Sequence, residues 1–129
     1  MEKVFVPFDM EKEKPIGACS KVVKVISPKA FIFISTLAAT KNGVLVKGDI
    51  ETQTRQAFEN LKVALAQAGA SLKDVVQIHA SLVSRKDYAG FNKIRKEYFG
   101  DNFPASSTRV VKEILIEDAL VDIGVVAAI

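Results

Sequence analysis

The chain has 129 residues, 49% of them apolar and 26% charged, with a formal net charge of +3. This is the composition of one folded domain spanning residues 1–129, and it excludes a disordered chain. One Cys and one His exclude an intrachain disulfide, a Cys/His zinc cluster and any two-histidine metal motif.

Residues 1–20 are the least regular part, because Pro7 and Pro15 interrupt any long element and Pro15-Ile16-Gly17 reads as a turn into the first strand. Residues 21–26 alternate Lys with Val and Ile and predict that strand. Ser27-Pro28-Lys29 is a tight connection, and the β-branched and aromatic run 30–36 predicts a second strand. Asn42-Gly43 supplies the positive φ values of a hairpin turn before a third, short strand at 44–46. Asp49 is an N-cap residue type, and Ile50, Thr54, Ala57, Phe58, Leu61, Ala64, Leu65 and Ala68 follow helical spacing to a C-terminal Gly69.

Period two returns over 72–83, with Val76, Ile78, Ala80 and Leu82 on one side and Gln77, His79, Ser81 and Val83 on the other. Ser84 and Asp87 have the spacing of a capping box, and Tyr88, Phe91, Arg95, Tyr98 and Phe99 keep helical spacing to Gly100. The last strands are expected at 108–116 and 120–128. The order β-β-β-α-β-α-β-β predicts a two-layer α+β domain, a mixed sheet backed by two helices. A second sheet face of Val, Ile and Ala calls for a partner and predicts a homo-oligomer with sheets facing inward.

No apolar run approaches the ~20 residues that span a bilayer, and Met1-Glu2-Lys3-Val4 has no signal-peptide character. The expected location is the cytoplasm. The basic stretches Arg85-Lys86 and Lys93…Arg95-Lys96 read as solvated helix faces rather than a nucleic-acid stripe, so nucleic acid is not the expected partner.

The segment from Gly48-Asp49-Ile50-Glu51-Thr52 to Asn60-Leu61 resembles the first helix of the RidA/YjgF family. The likeness continues through Ala68-Gly69-Ala70-Ser71-Leu72, Phe91-Asn92-Lys93-Ile94, Phe103-Pro104-Ala105 and Leu120-Val121-Asp122-Ile123. The resemblance implies a fold like chorismate mutase of the Bacillus type and a homotrimer whose sheets line a central barrel. Small-molecule clefts would lie between subunits. Active members are imine and enamine deaminases without metal or organic cofactor. In them an Arg clamps the substrate carboxylate, and an acidic residue positions the attacking water.

Residue by residue, the resemblance assigns a cleft with changed chemistry. Ser106 stands where active members carry the carboxylate-binding Arg, followed by Ser107 and Thr108. Arg109 lies three residues on, and an odd offset on a regular strand turns it to the other face. Asp122 takes the place of the family's catalytic Glu, one methylene shorter. Cys19 replaces a Tyr, Thr36 begins the segment that replaces Ser-Gly-Gln, and Asn92 is retained. Cys19 has no neighbouring His in sequence and reads as a small hydrophobe rather than a nucleophile. His79 reads as a structural histidine.

Three functions follow from this reading. The first is a trimer that binds a small metabolite, a carboxylate or an imine, without standard deaminase activity because the Arg is lost. The second is a divergent deaminase using Asp122 and a water, with Arg109 as a further candidate residue. The third is an RNA-directed role, since some family members have been described as translation inhibitors with ribonuclease activity.

Overall fold

A computed structural model covers residues 1–129. Its strands are β1 (Glu2–Val6), β2 (Val22–Ile26), β3 (Phe31–Ala38), β4 (Thr40–Lys41), β5 (Val44–Leu45), β6 (Val75–Leu82), β7 (Ala105–Val110) and β8 (Val121–Ala128). The helices are α1 (Ile50–Gln67) and α2 (Tyr88–Phe99). The main sheet has the order β3-β8-β6-β7, with β6 and β7 parallel and the other pairs antiparallel. β1 and β2 form a separate ribbon, and β4 and β5 a short hairpin. This is the expected two-layer α+β arrangement. No helix is long and apolar enough to cross a membrane.

Both helices pack on one face of the sheet. Their apolar stripes, with Ala57, Phe58, Leu61, Leu65, Phe91 and Ile94 fully buried, meet the inward residues Ile78, Leu82, Val121, Ile123 and Val125. Phe58 is the centre of this layer, stacked on Tyr98 at 4.7 Å between ring centroids and edge-on to Phe99. Truncating a fully buried Phe costs about 3–5 kcal/mol, so Phe58 alone accounts for a large part of domain stability. Asp49 caps α1 as its residue type predicts, accepting the Thr52 N–H at 2.9 Å. Polar side chains of α1 finish the sheet: Gln53 Oε1 accepts the Leu120 N–H, and Asn60 Nδ2 donates to the Ala38 and Thr40 carbonyls. These contacts satisfy backbone groups that the sheet ladder leaves behind.

The structure corrects several sequence expectations. Residues 2–6, read as irregular, form β1 in register with β2. A long connection separates the pair, so no short turn announced it. The penultimate strand begins and ends earlier than expected, at Ala105 and Val110. The apolar residues after it belong to a loop, where Leu115 is fully exposed and Ile114 packs into a small second core with Ala38 and Ala119. The capping box forms at Ser71–Asp74, ahead of β6, and the Ser84 side chain makes no cap bond. The open sheet face carries Phe31 and Phe33, 53% and 76% exposed, in register with Ala128 and Val126. Toward β6 and β7 that face turns polar.

Candidate functional site

β7 is an edge strand, and its two sides have different chemistry. It pairs with β6 without a register shift, so side chains alternate strictly. Ser106 and Thr108 point toward α2, with their hydroxyl oxygens 3.2 Å apart. Ser107 and Arg109 take the opposite face, in register with His79 and Ser81. Arg109 therefore points away from Ser106, as its odd offset requires. Asp122 is opposite Ser81 on this same open face. Thr36 joins it there: Ser35 and Thr36 together oppose Gly124, a bulge that brings the Thr36 side chain against that glycine.

The side facing α2 is built around Arg95. Its Nη1 donates to Ser106 Oγ at 2.9 Å, and its Nη2 donates to Tyr88 Oη at 2.9 Å and Asn92 Oδ1 at 2.7 Å. The guanidinium carbon lies 5.1 Å from the Phe91 ring centroid and 5.7 Å from that of Tyr88, within cation–π range. Arg95 is 0% exposed, and its Nε has no hydrogen-bond partner. No carboxylate pairs with it; all five ion pairs of the chain lie elsewhere. The sequence reading placed Arg95 in a solvated basic stretch, and the structure overturns that. Lys93 and Lys96 are exposed, but Arg95 falls on the helix stripe shared with Tyr88, Phe91 and Tyr98. That stripe was the signal available in the sequence, since a charge at an apolar helix position is either a packing exception or a site.

Residues 15–19 cross over this cluster as a strap. Asn92 Oδ1 accepts the Ala18 N–H at 2.8 Å as well as the Arg95 bond, so one amide oxygen ties the strap to the guanidinium. Ser20 fixes the strap's end, its N–H donating to the Pro104 carbonyl and its hydroxyl to that of Phe103. Gly17 is needed for close approach, not for a turn. A Cβ there would collide with Tyr88 Oη, Arg95 Nη2 and Asn92 Oδ1.

A cleft of about 690 Å³ opens beside the strap. Arg95, Tyr88, Ser106 and Thr108 line its inner end, Arg85 and Lys86 its mouth, and Phe8, Ile16, Leu82 and Val110 its apolar walls. No Asp or Glu lines it. A smaller cleft of about 400 Å³ on the strap's other side contains Asn92 and Lys96 and again no acid. Cys19 lines both clefts as a free, half-buried thiol. His79 stands on the open face of the sheet, so the only imidazole is not positioned to activate it.

The candidate residues thus divide. Cys19, Ser106 and Thr108 line the larger cleft and Asn92 the smaller one beside it, while Thr36, Ser107, Arg109 and Asp122 share the open face. Burial raises the Asp122 carboxyl above the usual carboxylate range, opposed only in part by hydrogen bonding with Ser81. Its Oδ1 is buried without a partner.

A family model for endoribonuclease L-PSP matches residues 11–129 of the chain. A RutC family protein of Pyrococcus abyssi is 40% identical over 118 residues, covering 87% of this chain and 91% of the relative. A 2-iminobutanoate/2-iminopropanoate deaminase of Dermatophagoides farinae is 31% identical over 103 residues, covering 78% of each chain. A solved structure of a Rid family protein from Yersinia pestis superposes with a TM-score of 0.83 at 27% identity, over 100% of both chains.

Proposed function

The chain belongs to the RidA/YjgF family, that of the endoribonuclease L-PSP model, and on that premise we propose that it binds a small anionic metabolite in the cleft beneath residues 15–19 without catalysing standard imine deamination. One observation carries this reading: the cleft offers cations and hydroxyls but no carboxyl group. Three cationic side chains line it, which favours a negatively charged ligand. Hydrolysis of an imine also needs a group that accepts a proton from the attacking water. Ser, Thr and Tyr hydroxyls that already take hydrogen bonds from Arg95 or from each other serve that role poorly.

The test is ammonia release from freshly generated 2-aminoacrylate. The expected rate equals that of the uncatalysed reaction in buffer; clear acceleration over buffer would sink the reading.

A second reading, a divergent imine or enamine deaminase, is favoured by the raised affinity of Asp122 for its proton and by the deaminase named among the relatives. Asp122 does not face this protomer's cleft, so it would have to serve a cleft completed by another copy. In that case Asp122→Ala and Arg109→Ala abolish the activity, and unchanged rates remove both residues from the mechanism.

The assembly we propose is a homotrimer with open sheet faces turned inward. Phe31 and Phe33 support it, because large exposed aromatics on a sheet face are unfavourable in a lone chain. Light scattering should give the mass of three chains, and Phe33→Glu should shift it toward one; a monomeric wild type refutes the proposal. The free thiol of Cys19 fits the cytoplasm as its location.

A further inference from the structure

Arg95 is a fully buried guanidinium with no carboxylate partner. Buried charges in folded proteins are paired or serve a ligand, because an unpaired one is costly. Its contacts are all to neutral groups: two hydroxyls, one amide oxygen and two ring faces. Three of its five N–H donors are engaged, and the unengaged ones include Nε–H, which has no acceptor in the chain.

The neutral contacts have a direction. Tyr88 and Ser106 accept from Arg95, so their own O–H protons must point away from it. Ser106 and Thr108 share one proton between their oxygens, which leaves one O–H of that pair without an acceptor. Arg95 thus turns the hydroxyls at the inner end of the cleft into donors facing outward. A charge held behind a row of such donors is an anion site, and the interior makes each of these bonds stronger than it would be in water.

Resting on the metabolite-binding reading above, we propose that Arg95 is the charge behind a carboxylate site in this cleft, a positioning residue that acts from α2 through the hydroxyls of Tyr88 and the Ser106–Thr108 pair, where Ser106 leaves this side of β7 without a charge. The walls formed by Phe8, Ile16, Leu82 and Val110 select a small monocarboxylate with an apolar tail. Ser106 is part of this arrangement, since any larger side chain would occupy the position from which the guanidinium is held.

The experiment is calorimetric titration of the full chain with 4-methylpentanoate, its neutral amide 4-methylpentanamide, and inorganic phosphate. The acid is expected to bind about 10- to 100-fold more tightly than the amide, the range of a charge-assisted hydrogen-bond set. Phosphate, a dianion without a tail, is expected to bind more weakly than the acid. Arg95→Met should remove the preference for the acid without lowering the Tm of the empty protein, because a neutral side chain of similar length relieves a buried unpaired charge. Tyr88→Phe should weaken the acid by about fivefold with the ring packing kept, and it decides the matter if Arg95→Met fails to fold. An amide that binds as tightly as the acid, or an Arg95→Met chain that still prefers the acid, overturns the assignment of Arg95 alone. Preferential binding of phosphate overturns the monocarboxylate. Failure of all three probes overturns the assignment together with the metabolite-binding reading.

Discussion

The outer seam between α1 and α2 and the inner cleft of α2 treat charge in opposite ways. On the seam the cations find acids: Arg55 pairs with Glu97 at 2.8 Å and Lys93 with Glu51 at 3.1 Å. These groups are solvated, and their pairing adds little to stability. One helical turn from the seam, Arg95 is removed from water and has no acid at all. The same helix therefore carries charges that balance each other where balance matters least and one uncompensated charge where it matters most. Stability alone would not select that pattern. That difference is what motivates the proposed anion site.

The contrast breaks most visibly if a second charge is forced into the cleft. Ser106→Arg would set a new guanidinium against Arg95, whose Nη1 lies 2.9 Å from the Ser106 oxygen. Urea denaturation should show a loss on the order of 3 kcal/mol, the cost of an uncompensated buried charge. Combining it with Arg95→Leu should recover most of that loss. A stable single variant would mean that the cleft tolerates two cations and that its electrostatics are governed by water.

Gly17→Ala should come next. Its methyl collides with three polar atoms of the Arg95 cluster, an overpacking cost of about 1–3 kcal/mol. Denaturation midpoints test the stability, and carboxylate titration should show weakened binding as the strap lifts.

Asp122 sharpens the comparison from the other face of the sheet. Its carboxyl holds its proton more tightly folded than unfolded, with burial as the leading cause. Between the unfolded and folded values the native state binds more protons, so this group lowers stability as pH rises through that interval. Asp122→Asn should raise the Tm at neutral pH, and the gain should vanish once pH falls below the ordinary Asp value near 3.8. A gain that persists at lower pH would assign the effect to packing. The smallest effect is expected on the seam, where Arg55→Ala should barely move the Tm, and less still at high salt.

Much of the scaffold was legible because its signals are local. Asp49, the stripe Ala57–Phe58–Leu61–Leu65 and Gly69 mark α1, and the alternation from Val76 to Leu82 marks β6 and its buried side. β1 escaped because its partner β2 lies across a long connection, and no short-range feature encodes such pairing. The loop after β7 was misread because Val111, Ile114 and Ile116 look like strand residues, although only Ile114 is buried. The site was half legible. Cys19, Asn92, Ser106 and Thr108 lie around the strap of residues 15–19, divided between its two clefts, but Arg95 was hidden among the lysines beside it. Charge density along the chain says nothing about which of three neighbouring cations turns inward. Helical phase does, and it placed Arg95 with Phe91 and Tyr88.

Arg95 also makes occupancy a matter of the protein's lifetime. A folded chain that holds a lone interior charge is less stable empty than filled, and a bound anion adds stability that grows with the logarithm of its concentration over its dissociation constant. Ample ligand therefore protects the chain from opening and proteolysis, and scarcity exposes it. The abundance of the protein would then follow the supply of the compound it binds, with no regulator other than folding itself.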